Sequence, residues 1–168
     1  MSVDIFPSGI TSPGSNTFLW TATKPALLAD LTGAFDVTCY LQADGVEIDF
    51  DQAREDDTRG CDSSTRESFG ATTFTKDEIA HIVDPQGAGT VAGNMALGEI
   101  EADALQYCSI RMGIPHGTVP TATHKWDIYA VQTGEAHISP LPAGKYLRRV
   151  KTSWTRVAQG VVIPAARP

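Results

Sequence analysis

Alternation of apolar and charged residues over very short stretches constrains this chain more than any other feature. Val46, Ile48 and Phe50 alternate with Glu47, Asp49 and Asp51, and a period of two sends each set to one face of a β-strand. Just upstream, residues 36–41 (DVTCYL) carry Val37, Cys39 and Leu41 on one side and Thr38 and Tyr40 on the other. Between the two stretches lies Ala43-Asp44-Gly45, where the glycine is free to take a positive φ. The pair reads as a β-hairpin.

The same period recurs along the chain. Residues 17–23 (TFLWTAT), 71–84 (ATTFTKDEIAHIVD, ended by Pro85), 107–112 (YCSIRM) and 125–132 (KWDIYAVQ) are strands by this reading. After a turn at Thr133-Gly134 come strands at 135–139 and 145–157 (KYLRRVKTSWTRV), joined by a turn over 140–144, with Val161, Val162 and Ile163 closing the sheet. Fifteen glycines and ten prolines suit a chain that turns this often. Helical periodicity is confined to one place. There Asn94 is a candidate N-cap, Met95, Leu97, Ile100 and Leu105 mark an apolar face, and Glu99, Glu101 and Asp103 face water. Residues 26–31 read as a single helical turn or an ordered loop. The expected fold is mainly β, a sandwich or barrel with one short α-helix, in a single domain spanning residues 1–168.

Four segments carry little to bury. Residues 1–16 are rich in Gly, Pro and Ser around the isolated Ile5 and Phe6 and read as an extended arm. Residues 52–68 (QAREDDTRGCDSSTRES) show no periodicity and read as a long early loop, of a length that inside a compact domain usually serves a function. Residues 87–93 are a flexible connection, and 164–168 form a C-terminal tail.

Composition narrows the function. No stretch approaches the roughly 18 apolar residues of a membrane span. The first residues carry an early acid and no basic-then-apolar pattern, so they are not read as a signal peptide, and the chain is expected to be made in a cytoplasm. Three cysteines, Cys39, Cys61 and Cys108, argue against a disulfide framework. Cys39 and Cys108 are expected to be buried in strands, and Cys61 to be more exposed. A net charge of −7 argues against gripping a nucleic acid backbone, though not against letting DNA slide past.

Motifs of catalysis are missing from the sequence. His81, His116 and His124 form no ligand pair with one another or with the cysteines at metal-binding spacing. Gly87-Ala88-Gly89 lacks the strand and lysine of a phosphate loop, and Glu99, Glu101 and Asp103 are expected to be a solvated helix face. No catalytic, cofactor or metal site is assigned, and the chain is expected not to be an enzyme. Charge is unevenly spread, with Asp44, Glu47, Asp49, Asp51, Glu55, Asp56, Asp57, Asp62 and Glu67 early and Lys145, Arg148, Arg149, Lys151 and Arg156 late. These are either two solvated faces or the two halves of a contact between copies, which propagates into rings or filaments.

Asp4-Ile5-Phe6-Pro7-Ser8-Gly9, Val37-x-Cys39-Tyr40-Leu41-x-Ala43-Asp44-Gly45, Arg54-Glu55-Asp56-Asp57-x-Arg59-Gly60-Cys61, Asp84-Pro85-Gln86, the helix of 94–102 and the strand ending Arg111-Met112-Gly113 follow one another in this order. In that order the chain resembles the major tail proteins of long-tailed bacteriophages, in particular those infecting actinobacteria. The resemblance spans most of the chain. It implies a structural virion protein whose copies form six-fold rings stacked into a tail tube that conducts the genome during ejection. It implies contacts between rings through the 52–68 loop and the terminal arms, for which Ile5, Phe6, Arg54, Glu55, Asp56, Asp57, Arg59 and Arg66 are the candidates. Implied partners are further copies of the chain, a tape measure protein, tail terminator and tip or baseplate proteins, and tail assembly chaperones. DNA would pass without specific binding, no membrane or cofactor is involved, and the protein resides in the virion tail after assembly in the host cytoplasm. Alternatives are another β-sandwich virion protein, such as a terminator, distal tip or head decoration subunit, and a small β-barrel enzyme or ligand-binding domain with a closed apolar pocket.

Overall fold

The structure, a computed structural model, describes residues 16–41, 49–56, 67–75, 78–86, 95–141 and 145–166. Their elements run β1 (Asn16–Thr21), α1 (Leu28–Thr32), β2 (Phe35–Asp36), β3 (Asp49–Asp56), β4 (Glu67–Thr75), β5 (Glu78–Val83), α2 (Met95–Glu99), β6 (Leu105–Met112), β7 (Lys125–Leu141) and β8 (Lys145–Val162). The strands form one sheet in the order β2-β1-β6-β7-β8-β4-β3, with β5 also paired to β8, and every pairing is antiparallel. The sheet curls into a half-barrel, so the protein is mainly β as the alternation predicts.

Alternation sorts the core onto two faces of this sheet. Trp20 of β1, Cys108 and Ile110 of β6, Tyr129 and Val131 of β7 and Val150 and Trp154 of β8 pack together on one face, over α2 residue Ala96 and the adjoining Ile100. Leu19 of β1 and Trp126 and Ile128 of β7 join Leu31 of α1 and Ile163 on the other face. Trp154 is the hub of the first cluster, edge-on to Trp20 at 6.3 Å and to Tyr129 at 5.7 Å between ring centroids. Edge-to-face aromatic pairs of this kind each add about 0.5–1.5 kcal/mol beyond the area they bury.

Both helices are five residues long. Residues 28–32 are helical because the Asp30 carboxylate accepts the Ala26 and Leu27 amides at 2.8 and 2.9 Å, satisfying donors that a helix start leaves open. The Leu28 amide donates to the Pro164 carbonyl at 2.9 Å, so the chain is anchored at the first residue of the C-terminal tail. At α2 the buried residues are Ala96 and Ile100, whereas Leu105, expected on the same apolar face, lies in β6 and is 54% exposed. The turn at 43–45, the Asn94 cap, the connection 87–93 and Cys61 lie outside the described residues.

Several expectations are corrected. Past Asp36, which ends β2, residues 37–40 are not a strand, and β3 pairs with β4 instead. Asp36 Oδ1 accepts the Thr38 amide at 3.0 Å, Thr38 Oγ1 accepts the Phe18 amide at 2.8 Å, and the Val37 carbonyl accepts the amides of Tyr40 and Leu41. This local Asx turn curls the chain before a second strand can form. It also turns Cys39 outward, so that thiol is exposed and only Cys108 is buried among the described residues. The segment 52–68 is not loop throughout, since Gln52–Asp56 belongs to β3 and Glu67 opens β4, with 57–66 outside the described residues. Residues 71–84 divide into the end of β4 and β5, both lying against β8.

Thr133-Gly134 is a bulge in a continuous seventeen-residue strand, not a turn. Thr133 faces Thr152 and Ala136 faces Val150, so β7 uses three steps where β8 uses two. The extra residue keeps Ala136 on the core side of the sheet. Val161 and Val162 continue β8 to make it eighteen residues long.

Candidate assembly surfaces

An antiparallel sheet that does not close leaves strand margins carrying unpaired N–H and C=O groups. The long β7–β8 hairpin creates most of the margin here. β6 covers β7 as far as Gln132, and the backbones of Thr133 and Gly134 still bond Ala104 and Asp103. Beyond that point, residues 135–141 pair only with β8 among the described residues. β8 in turn meets β5 over Tyr146–Lys151 and β4 at Trp154, leaving residues 155–162 paired on the β7 side alone among the described residues. β3 ends the sheet at one extreme and the two-residue β2 at the other. The outer side of β5 receives one bridge, from Leu41 to His81.

Apolar side chains accompany the projecting end of the hairpin. Ile138 is 39% exposed and Tyr146 is 41% exposed. By register Ile138 lies opposite Arg148, and Tyr146 opposite Pro140 and Val83, so they extend the face that buries Val150.

The late basic cluster is largely consumed within the subunit. Arg149 Nη1 donates to Glu78 Oε1 at 2.8 Å, and Lys151 Nζ lies 3.5 Å from Glu78 Oε2. Exposed pairs like these contribute roughly 0–1 kcal/mol each. The Arg156 guanidinium lies 4.5 Å from the centre of the Phe74 ring and donates to Gln159. Arg148 is buried, with Nη1 donating to the Ile100 carbonyl at 2.7 Å and standing 3.3 Å from His81 Nε2. Because guanidinium can only donate, His81 must accept through Nε2. Burial, aided by Arg148, lowers the His81 pKa from 6.5 to about 4, so the imidazole is neutral near pH 7.

A second buried arginine holds the other end of the sheet. Arg111 donates to the Thr118 carbonyl at 2.8 Å and to Thr17 Oγ1 at 3.1 Å, and its Nη1 lies 3.0 Å from His124 Nδ1. His124 Nδ1 also receives the Thr121 amide, which leaves the ring proton on Nε2. Burial first and Arg111 second hold His124 below its ordinary pKa. Nearby, His116 Nε2 stands 3.1 Å from Asp36 Oδ2 and 3.6 Å from Cys39 Sγ. Cys39 Sγ also lies 3.9 Å from Nδ1 of the same ring. Among the described residues no group of three or more His, Cys, Asp or Glu side chains could hold a metal ion, and no helix is long and apolar enough to cross a membrane.

Of the candidate contact residues, Arg54, Glu55 and Asp56 fall together on β3, at the outer limit of the sheet. Ile5, Phe6, Asp57, Arg59 and Arg66 lie outside the described residues. The structural arginines escaped the sequence reading, although a signal existed for one of them. Arg148 shares the parity of Val150 and Trp154, which marks it as inward-facing in spite of its charge.

A comparison with known protein families finds a match over residues 10–166 to the family described as phage tail tube protein. No curated protein matches the chain.

Proposed function

Because the chain belongs to the phage tail tube protein family, we propose that its copies join into six-fold rings that stack to form the tube through which the genome leaves the particle. Membership makes it a structural component of the virion tail, one that assembles with itself and with other tail proteins. The observation that carries the finer reading is the margin of the sheet along residues 135–141 and 155–162, which among the described residues is paired on one side alone. Edge strands left open on a soluble subunit invite pairing with another chain, and a half-barrel repeated around an axis can close into a barrel with no edge left over. A margin of one subunit meets a different margin of the next, which makes the contact heterologous and lets a ring close.

Stacking is assigned to the arm 1–16, with Ile5 and Phe6, and to the tip of β3 with the segment that follows it, carrying Arg54, Glu55, Asp56, Asp57, Arg59 and Arg66. The tape measure protein fills the bore before ejection, while terminator, tip or baseplate proteins and assembly chaperones act at its ends and during its growth, which begins in the host cytoplasm. With a net charge of −7, the wall repels the DNA backbone and lets it slide. Hydrogen exchange on subunit and tube tests this reading. Slowing of amide exchange by assembly is expected in residues 135–141 and 155–162; equal exchange in the two states would remove these margins from the interface.

A further inference from the structure

The β7–β8 hairpin has one face in the core and one left bare over most of its length. Tyr129 and Val131 of β7 and Val150 and Trp154 of β8 pack into the larger cluster, so alternation sends Ala130, Gln132, Ser153 and Thr155 to the opposite face. There Ala130 pairs with Thr155 and Gln132 with Ser153, and Gln132, Ser153 and Thr155 are exposed. Helix α1 covers this face only where β7 begins and β8 ends, through Leu31 against Trp126 and Ile163.

Apart from α1, the elements that pack on the hairpin lie on its core side. Trp20 of β1, Phe74 of β4, Ile79 of β5 and Ala96 of α2 all join the larger cluster there, because the sheet curls around it. A wall that closes around an axis has less room inside than outside, so the bulky side of each subunit faces outward and the bare side inward. The chemistry of the bare face suits that position. Hydroxyl, amide and methyl groups occupy its centre, where they stay in contact with water. Its arginine and lysine, Arg149 and Lys151, are both engaged by Glu78, at 2.8 and 3.5 Å, which leaves them less to offer a phosphate backbone.

We propose that the face of β7 and β8 carrying Gln132, Ser153 and Thr155 lines the bore of the tube, with the core, β5 and α2 behind it in the wall. The assignment rests on the tube reading and adds to it the orientation of the subunit about the tube axis. What this face meets is a polyanion in transit, and it suits that partner by forming no lasting bond, since neutral donors and acceptors exchange freely with water. The same orientation puts α2, which buries Ala96 and Ile100 and exposes Glu99, on the outer side.

Cysteine labelling tests it. Ser153→Cys, Thr155→Cys and, as the outer reference, Glu99→Cys are made singly in a chain carrying Cys39→Ser and Cys61→Ser, in which the remaining Cys108 is buried. Each is treated, as subunit and as tube, with a small maleimide and with one carried on a bulky polymer. In the subunit all three positions are expected to react with both reagents. In the tube the bulky reagent should label the Ser153 and Thr155 variants several-fold less than the small one, which diffuses in through the ends, while the Glu99 variant keeps reacting with both. Tubes in which the bulky reagent labels the Ser153 and Thr155 variants freely, or is excluded from the Glu99 variant instead, would overturn the assignment and leave the tube reading intact. So would tubes that close the Ser153 and Thr155 variants to the small reagent too, since the face would then be buried in a contact. Failure of the parent chain to form tubes would overturn the tube reading and this assignment with it.

Discussion

Arg148 and His81 lie opposite each other on β8 and β5, both buried, with guanidinium Nη1 3.3 Å from imidazole Nε2. The same Nη1 donates to the carbonyl of Ile100 at 2.7 Å, which ties the end of α2 to the sheet. A buried cation is thus held by two neutral acceptors, and the arrangement works only while the histidine is uncharged.

Acid should weaken this joint. The folded protein depresses the His81 pKa from 6.5 to about 4, so the unfolded chain takes up a proton at a higher pH than the folded one. Stability from this residue is fully present above pH 6.5 and is lost as the pH falls toward 4. The loss reaches up to about 3 kcal/mol, since each tenfold difference in proton affinity between the two states is worth about 1.4 kcal/mol. Urea unfolding of the subunit at pH 7, 6 and 5 checks it, because the His81→Gln variant should lose much of the dependence between pH 6.5 and 5.

Removing the cation is expected to harm the fold itself. Arg148→Ala leaves the Ile100 carbonyl and His81 Nε2 without their donor and opens space on the core face, and each orphaned buried group costs about 1–3 kcal/mol. A drop in urea midpoint corresponding to about 2–4 kcal/mol is the expected outcome. An unchanged midpoint would show that water replaces the guanidinium without cost.

Trp154→Ala probes the aromatic hub. Deleting a buried tryptophan costs about 3–5 kcal/mol, and here it also removes the edge contacts with Trp20 and Tyr129. Thermal unfolding of subunit and variant side by side gives the value, and a shift as small as that of a surface substitution would contradict the packing.

Assembly should fail without loss of stability in two variants. Ile138→Gln places a polar, uncharged side chain on the exposed apolar end of the hairpin, weakening an apolar contact with another copy without setting a second cation opposite Arg148. Asp56→Lys combined with Asp57→Lys reverses the charge at and beyond the tip of β3. Both are expected to leave the urea midpoint within the change of about 0.5 kcal/mol usual for surface positions, and to reduce tube yield on sedimentation. Normal yield from either would take that surface out of the interface.

How much of this was legible in the sequence follows from what alternation can and cannot encode. Period two reports which side chains point inward, so β1, β6 and the near half of β7 are readable from Trp20, Cys108, Ile110, Tyr129 and Val131. It does not report where the chain bends. Residues 36–41 alternate well, yet the Asp36 carboxylate and the Thr38 hydroxyl capture nearby amides and curl the segment. Thr133-Gly134 has turn composition, but Thr133 bonds both the amide and the carbonyl of Ala104, which pins the strand across the bulge. The polar stretch 52–56 offers nothing to bury, and it is a strand because β4 supplies its ladder. Of the contact candidates, alternation could mark Arg54, Glu55 and Asp56 as polar, and only the pairing with β4 shows that they end the sheet.

The central claim is that open strand margins make this subunit one that completes itself by joining copies. Electron microscopy of the purified protein at high concentration, with averaging of end views and side views, tests it most directly. Hollow tubes of regularly stacked rings with six-fold end views are the expected result. Discrete, unassociated particles at every concentration, including in the presence of the terminator and tip proteins of the same virion, would contradict it.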